Sequence, residues 1–437
     1  MEGNSMCGII SINEIVKHAH DRQNLMIPPE AAALIKSLRI LVIGVGAGGN
    51  EVLKNLLLMG FGNFTLLDFD TVEDSNLSRT TLFRKEDIGK SKSIVAAERL
   101  QEMALHPNPN IVGLHGNFMT DFGKELFIEH DIVISCVDTQ KCRAYINDWC
   151  VRTKTPFFEM GFEKYTVNIT FFAPVGTMTQ RDGTVIEKLP TSDGYFPTFN
   201  GEFPVCLREE IGYGVFDEKR NSCSGFKVKD TNLAKIPTIQ VSAAMAGTLI
   251  ATELVKFLCG IDSIRNKMLL YSGLSYETTI VSYNRSPKCN IHEEHMDIET
   301  FEVYERESMK DVLIRMESTI EDCSRVFLTL PDAFIKSGKC KGCGKEIEYN
   351  SRASELYDEE RWCDDCRKKP HYTSLTDFEN DFVKIPKEVS LKLDEDYLKY
   401  SFEEVGVPKN DILECKVNYK SGEKVWKYVY LKQIDTK

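Results

Sequence analysis

The stretch RILVIGVGAGGN at residues 39–50 constrains the fold of this chain more than any other part of it. A short apolar run ends at Ile43, and Gly44, Gly46 and Gly49 follow in GxGxxG spacing. An apolar periodic segment comes next, so the stretch predicts a strand, a tight turn and a helix. Glycine leaves no Cβ between backbone and ligand, and a helix start presents unpaired N–H groups. A nucleotide phosphate is the expected occupant of this turn.

A second apolar strand, FTLLDFD at residues 64–70, strengthens the nucleotide interpretation. It leads to Asp68, about 20 residues after the glycines, where nucleotide-binding folds place the acid that binds ribose. Without this acid, a glycine turn that only packs a helix on a sheet would explain the motif as well. Asp70 follows closely, and a structural turn or cap residue is its preferred interpretation.

Strand and helix patterns alternate from residue 39 to residue 173. This alternation predicts an α/β fold, Rossmann-like, with a mostly parallel sheet and helices on both faces. Strands are expected near 39–43, 64–68, 111–115, 131–136, 156–159, 166–173, 267–272 and 276–283, and helices near 49–60, 90–105, 121–129, 140–153 and 238–258.

Polar residues that follow the strands form a coherent set for phosphate chemistry. Asn76, Arg79 and Lys92 lie between the second strand and the next helix, and Asp138 directly follows a later strand. Because the carboxyl ends of parallel strands share one edge of a sheet, these side chains should meet the glycine turn in one crevice. The cations suit a triphosphate and an acid suits magnesium. The cations also stabilise the charge that develops as pyrophosphate leaves.

With these motifs the sequence resembles the ThiF/MoeB-type adenylyltransferases, whose core is shared with ubiquitin-activating enzymes. Residues 22–285 carry GVGAGG, LDFDTVEDSNLSR, DIGKSK and VDTQKCR in the order and at the spacing of that family. ATP is then a substrate that is consumed in each cycle. The resemblance implies contacts for five side chains: the ribose for Asp68, the phosphates for Asn76, Arg79 and Lys92, and magnesium for Asp138.

The resemblance also implies an assembly and a substrate. The pair Arg22-Gln23 matches the family's N-terminal arginine motif, whose arginine reaches into the ATP site of the partner subunit, so a homodimer is expected. This chain reads HAHDRQ there and lacks the usual preceding tyrosine and first arginine. Family members adenylate the C-terminal carboxylate of a small β-grasp, ubiquitin-like protein. Some then form a thioester on a cysteine, which would pass the acyl group to a conjugating enzyme, and others help sulfur transfer.

Alternatives to this function stay open. The chain could adenylate a ribosomal peptide or a sulfur-carrier protein in natural-product or cofactor biosynthesis, although the arm is too short for a separate peptide-recognition domain. It could instead be a non-catalytic scaffold subunit, yet such subunits usually lose the catalytic Arg, Lys or Asp that are present here. A nicotinamide dehydrogenase is disfavoured, because SNLSR and GKSK serve phosphate chemistry and have no role in hydride transfer.

Cysteines in the family-like region raise two questions. Many family members hold a structural zinc with two CxxC pairs, and here Cys206, Cys289 and His292 remain as ligands, one short of a closed site. Another residue could complete the site, or the metal could be lost. Cys223, in the polar segment NSCSG, matches the thioester-forming or sulfur-carrying cysteine of some members and is preferred over Cys206 for that role. It also stays open that neither cysteine is catalytic.

The C-terminal region carries a separate metal motif. CKGC and CDDC are two CxxC pairs whose spacing is typical of zinc ribbons. A redox pair is the lesser alternative, and the expected role of the region is to dock a substrate or a conjugating enzyme. A structural zinc is expected on four cysteines within a ribbon at residues 338–368, namely Cys340, Cys343, Cys363 and Cys366.

Domain boundaries follow from these patterns. They predict an N-terminal arm at residues 1–38 and an adenylation domain at 39–290. Within that domain, residues 174–237 lack periodicity and are interpreted as a crossover loop. A C-terminal region is predicted at residues 300–437.

Composition limits the partners and the location. The chain of 437 residues has a formal net charge of −12, which argues against nucleic acid or an anionic membrane as the main partner. No apolar run is expected to span a bilayer, and the first residues do not have the pattern of a signal peptide. The 14 cysteines then indicate metal sites and free thiols rather than disulfides. We expect a cytoplasmic protein.

Overall fold

The structure, a computed structural model, describes residues 18–174, 178–179, 185–186, 203–208, 238–286, 289, 291, 298–340, 342–353, 363–367 and 382–434. These residues fall into two units. The first unit contains the described residues up to 116 and from 127 to 291, and the second contains residues 117–126 and those from 298 to 434. The domain boundaries derived from the sequence stay predictions.

An eight-stranded sheet forms the centre of the first unit. Its strands are β1 (Arg39–Ile43), β2 (Asn63–Asp68), β3 (Asn110–His115), β4 (Ile132–Ser135), β5 (Phe157–Glu163), β6 (Thr166–Phe172), β9 (Lys267–Ser272) and β10 (Glu277–Ser282), and the short strands β7 (Met178–Thr179) and β8 (Val185–Ile186) pair with each other outside it. The order is β3-β2-β1-β4-β5-β6-β9-β10. The first five strands in this order, from β3 through β2, β1 and β4 to β5, are parallel to one another. The last three, β6, β9 and β10, pair antiparallel. The predicted mostly parallel α/β fold is confirmed.

Helices connect and cover these strands. They are α1 (Pro29–Ser37), α2 (Ala47–Leu58), α3 (Lys92–Met103), α4 (Glu125–Glu129), α5 (Gln140–Arg152) and α6 (Gln240–Leu258). Helix α3 packs on β2 and β3, and α6 packs along α2 and against β5 and β6. The apolar face predicted for α2 is buried, with Val52, Leu53, Leu56 and Leu57 in the core. Each strand and helix expected from the periodicity of this unit is present within a few residues of its predicted position.

Helix α6 is the helix predicted at residues 238–258. By length and composition alone it could cross a membrane, a test that buried core helices also pass. Its residues Ala243, Ala246, Ile250 and Leu254 are buried in the core of the first unit. Because a core helix is apolar on most sides when it packs between other elements, α6 needs no lipid to explain its composition.

The second unit contains two small sheets. Its elements are β11 (Ile298–Tyr304), α7 (Met309–Thr319), β12 (Cys323–Thr329), β13 (Phe334–Lys339), β14 (Glu346–Arg352), α8 (Asp364–Arg367), β15 (Phe382–Ile385), β16 (Glu388–Val389), α9 (Glu395–Leu398), β17 (Ile412–Tyr419) and β18 (Lys424–Ile434). One sheet has the order β11-β18-β17-β12-β16 and the other has the order β14-β13-β15. The predicted turn between the last two strands holds Gly422 at φ +91°. That conformation favours glycine and lets β17 and β18 pair as a hairpin.

A buried ion pair holds residues 117–126 within the second unit. Asp411 is fully buried, and its carboxylate lies 2.7 Å from the ammonium of Lys124. The backbone N–H groups of Lys124 and Ile412 also donate to it, both at 2.9 Å. A buried carboxylate is tolerated when several donors surround it. No periodicity in the sequence indicated that this segment, which runs from just after β3 into the first residues of α4, belongs with the C-terminal region.

Candidate functional site

The turn after β1 is shaped by the backbone beside it. Gly44 has φ +92°, and its N–H group donates to the carbonyl of Leu67 at 2.9 Å. A Cβ at Gly44 would lie 2.6 Å from the carbonyl oxygen of Cys136, and a Cβ at Gly49 would overlap the carbonyl oxygen of Gly44. At Gly46, by contrast, a Cβ would meet no atom within 4 Å. Two glycines therefore allow the backbone to pack closely, and the third leaves space open above the turn.

Asp68 lies next to this turn at the end of β2. Its Oδ2 accepts a hydrogen bond from the Val45 N–H at 2.7 Å, and its Oδ1 accepts one from the Asp70 N–H at 2.8 Å. Burial raises the pKa of Asp68, and the charge of Lys92 opposes this shift. The carboxyl group is therefore fixed beside the glycine turn, as expected for an acid that binds ribose.

Lys92 and Asp70 form an ion pair at the start of α3. The Lys92 Nζ lies 2.7 Å from Asp70 Oδ2, and Lys92 is largely buried. The backbone N–H of Lys92 also donates to the carbonyl of Asp70 at 3.1 Å. Asp70, which the sequence indicated as a structural residue, thus holds the predicted phosphate-binding lysine near the end of β2.

Asn76 and Arg79 lie in a segment tied together by its own hydrogen bonds. Asn76 is buried, and its Oδ1 accepts from the Glu73 N–H at 2.9 Å. Its carbonyl accepts from the Arg79 N–H at 3.0 Å. The Arg79 guanidinium donates to the carbonyl of Ser75 at 2.6 Å. These bonds make the segment a compact support for the predicted phosphate-binding arginine.

Asp138 is exposed and follows β4, just before α5 begins. Helix α5 contributes Arg143, whose Nε donates to the carbonyl of Val137 at 3.3 Å. The guanidinium of Arg143 also pairs with the buried carboxylate of Glu159 at 2.7 Å. The sequence left open whether Arg143 contacts a nearby acid or is an exposed helix residue, and it gave no sign that the partner is Glu159 on a strand. The pair fixes the backbone from which Asp138 projects.

The sheet topology places these groups at one edge. Strands β4, β1 and β2 are neighbours and run parallel, so their carboxyl ends lie side by side. The chain leaves β1 toward β2 and returns on the other side at β4, which makes this edge a topological switch point where ligands of such sheets bind. The glycine turn, Asp68 and Asp138 are therefore brought to one crevice, as the sequence predicted. Their roles toward a ligand stay predictions.

Arg22 lies away from this crevice. It is exposed, and Gln23 beside it donates to the carbonyl of Met59 at 2.8 Å. Met59 follows the last residue of α2, whereas Gly46 precedes its first. A helix of 12 residues is about 18 Å long, so the length of α2 separates Arg22 from the glycine turn of its own chain.

The cysteines of the first unit are placed only in part. Cys206 and Cys289 are buried, and their Sγ atoms lie 3.8 Å apart. His292 and Cys223 lie outside the described residues. The core zinc site and the choice of a catalytic cysteine therefore stay predictions. Burial shields the Cys206 sulfur from solvent, which agrees with the preference for Cys223.

Four cysteines of the second unit form a cluster that could hold a metal ion. The Sγ atoms of Cys340, Cys343, Cys363 and Cys366 all lie within 4.8 Å of one another. The Cys343 and Cys363 sulfurs are 3.6 Å apart, close to the edge of a tetrahedron with metal–sulfur bonds of about 2.3 Å. Burial acts against the thiolate of Cys340, but hydrogen bonds from Cys363 and Gly342 outweigh it and lower its pKa to about 6. The predicted ribbon ligands are therefore brought together.

Comparisons with solved structures give similarities at low identity. A complex of E. coli MccB with AMPCPP and MccA has a TM-score of 0.46 and 21% sequence identity, over 62% of this chain and 73% of that one. PaaA has a TM-score of 0.43 and 16% identity, over 65% of this chain and 79% of that one.

Comparisons with curated proteins give three informative relatives. The SUMO-activating enzyme subunit 2 of Dictyostelium discoideum is 39% identical over 132 residues, 30% of this chain and 20% of that protein. The NEDD8-activating enzyme E1 catalytic subunit of Caenorhabditis elegans is 40% identical over 119 residues, 27% of each. The chain thus spans only a small part of these two relatives. The sulfur carrier protein adenylyltransferase of Thermus thermophilus is 27% identical over 264 residues, 60% of this chain and 85% of that protein.

A family model matches more than half of the chain. The model of the ThiF family covers residues 20–291, which include the glycine turn and the side chains gathered around it. This range is more than half of the chain and contains the eight-stranded sheet. The chain therefore belongs to the ThiF family.

Proposed function

We propose that this chain is an ATP-dependent adenylyltransferase that activates the C-terminal carboxylate of a small ubiquitin-like protein. One observation carries the proposal: the glycine turn and Asp68 lie at the same switch point as the segments that hold Arg79, Lys92 and Asp138. A cofactor cradle needs the first two features only. The cations and the second acid are what cleavage of a triphosphate requires. Their retention also argues against a non-catalytic scaffold.

In the proposed reaction, an oxygen of the substrate carboxylate attacks the α-phosphorus of ATP. The bond to the bridging oxygen breaks, and pyrophosphate leaves with the electron pair of that bond. Arg79 and Lys92 stabilise the negative charge that develops on the leaving group. Asp138 is an exposed carboxylate, the ligand type that magnesium prefers, and it would hold the ion that neutralises the phosphates.

A sulfur-carrier protein is the second candidate substrate. The relative from Thermus thermophilus is a sulfur carrier protein adenylyltransferase, and this chain covers 85% of its length. The SUMO- and NEDD8-activating relatives have higher identity over much shorter ranges. The core of the site is therefore compatible with both substrate classes, and the test must include both.

We also propose a homodimer in which Arg22 serves the partner's site. Arg22 is separated from the glycine turn of its own chain by the length of α2, so it is too far to reach a phosphate bound there. A second copy would bring this arginine to the crevice from outside.

Pyrophosphate exchange tests the proposed reaction. The Arg79→Ala and Lys92→Ala variants should each lower the exchange rate about 100-fold or more, because each variant lacks one positive charge that stabilises the leaving pyrophosphate. Lys90→Ala is the matched control and should keep the wild-type rate, since Lys90 is exposed and pairs with Asp87. The assay is run with ubiquitin-like proteins, sulfur carriers and short peptides. Exchange with peptides alone would favour the biosynthetic alternative, and no exchange with any candidate would contradict the proposal.

Two glycine variants test whether the turn binds the nucleotide. Gly46→Ala should fold normally, because its Cβ meets no atom, but it should weaken ATP binding about tenfold or more by filling the phosphate space. Gly44→Ala should lower the melting temperature, because its Cβ would collide with the Cys136 carbonyl. Calorimetric titration with ATP and thermal unfolding measure the two effects. Unchanged ATP affinity in a folded Gly46→Ala protein would place the nucleotide elsewhere.

We propose Cys223 as the cysteine that receives the acyl group from the adenylate. Loss of Cys223 should abolish a reducible substrate adduct on denaturing gels while pyrophosphate exchange continues, because the two steps use different groups. Cys206→Ala is the comparison and should keep the adduct, since its sulfur is buried. A reducible adduct that survives in Cys223→Ala would exclude Cys223.

We propose that the four-cysteine cluster holds a structural zinc and that its unit docks the substrate or a conjugating enzyme. Metal analysis of the full chain should find about one zinc on this cluster, and Cys343→Ser should lose it because three sulfurs do not close a tetrahedral site. Cys323→Ser, at a half-buried cysteine outside the cluster, should keep the metal. Equal zinc content in the two variants would refute the assignment.

A further inference from the structure

We propose that Asn50 is a positioning residue that couples the glycine turn to the segment carrying Arg79. The inference rests on the proposed adenylation, in which that arginine must meet the phosphates held by the turn. Neither the motif spacing nor the family resemblance assigns Asn50 a role. Its side chain is fully buried on the first turns of α2, although asparagine is a polar residue that is rarely placed in a core.

The Asn50 side chain bonds to both pieces of the site at once. Its Nδ2 donates to the carbonyls of Val45 and Gly46, at 2.8 and 3.0 Å. Its Oδ1 accepts from the N–H of Leu82 at 2.9 Å. One planar amide therefore holds two carbonyls of the glycine turn and one N–H of a segment 32 residues further along the chain.

The segment that ends at Leu82 also carries Arg79, and only two residues lie between them. The carbonyl of Asn76 accepts from the Arg79 N–H at 3.0 Å and from the Thr80 hydroxyl at 2.9 Å. A shift at Leu82 would reach Arg79 through the two residues of backbone between them. The side of the turn that faces Asp68 is fixed separately, by the hydrogen bond from the Val45 N–H.

The contacts explain why the residue is asparagine. The site needs two donors and one acceptor in a fixed plane, and the Asn side chain supplies them. Aspartate would place a buried negative charge against two carbonyl oxygens. Serine is too short to reach both sides, and a buried group left without a partner costs about 1–3 kcal/mol. Asn50→Ser therefore breaks the link while it leaves the glycines in place.

A residue that only stabilises the fold would lower the melting temperature and leave the folded enzyme unchanged. A positioning residue changes the chemistry of the folded enzyme. We expect Asn50→Ser to lower the kcat of pyrophosphate exchange about 10- to 100-fold, because small misplacements of catalytic groups have effects of this size. The Kd for ATP should change by less than about threefold, because the Gly44 and Val45 N–H groups still tie the turn to β2. Asn55→Ser on the same helix is the control, since its amide reaches Thr248 only at 3.4 Å.

A double-mutant cycle with Arg79→Ala makes the test specific. If Asn50 acts through Arg79, then Asn50→Ser should cost about threefold or less in exchange rate once the arginine is gone. If the two substitutions instead lower the exchange rate by factors that multiply in the double variant, the two residues act independently and the proposal is wrong. An unchanged kcat in the folded Asn50→Ser protein would overturn it as well.

Hydrogen exchange tests the coupling without any turnover. ATP should slow amide exchange in residues 76–82 of the wild-type chain, and this protection should be lost in Asn50→Ser while protection of residues 44–49 remains. Protection of both segments in the variant would contradict the coupling. If ATP gives this pattern but no substrate supports pyrophosphate exchange, the proposed function fails and the coupling stands, so the two failures are distinguishable.

Discussion

The close approach of the backbone at the end of β1 is the constraint on which the site depends. The Gly44 turn lies directly against the carbonyl of Cys136, where any side chain would collide. The N–H groups of Gly44 and Cys136 donate to the carbonyls of Leu67 and Ile43, at 2.9 and 2.8 Å. These contacts continue the strand pairing past the sheet, so the loops after β1, β2 and β4 share one crevice. A side chain at Gly44 would separate the loops that carry the candidate ligands.

Charge at this crevice is arranged in pairs that limit the cost of burial. Lys92 is held by Asp70, and Arg143 is held by Glu159. Asp68 is different, because backbone N–H groups surround its carboxylate and burial raises its pKa. Groups positioned before a ligand arrives need little rearrangement during a reaction, and preorganised groups of this kind account for much of the electrostatic stabilisation in enzymes.

The second unit is stabilised differently from the first. Its apolar core is small, and α7 contributes Met309, Val312, Leu313 and Met316 to it. The buried carboxylate of Asp411 accepts from Lys124, which lies 287 positions away in the chain, and the cysteine cluster gathers four thiols. Small cores often need additional cross-links, because they bury too little apolar surface to offset the loss of chain entropy, and a zinc ion on these cysteines would supply one. The metal motif is therefore understandable as part of the stability of this unit.

The sequence by itself determined the strands and helices of the first unit, the glycine turn with Asp68, and the cysteine spacing of the ribbon. These features are local, because periodicity and short spacings reflect neighbours along the chain. Only the tertiary structure decided that Asn50 bonds to Leu82, that Arg143 pairs with Glu159, and that residues 117–126 belong to the second unit. Such contacts join residues that are distant in sequence. No periodic pattern in the sequence identifies the partner of a single buried amide or of a carboxylate on a strand.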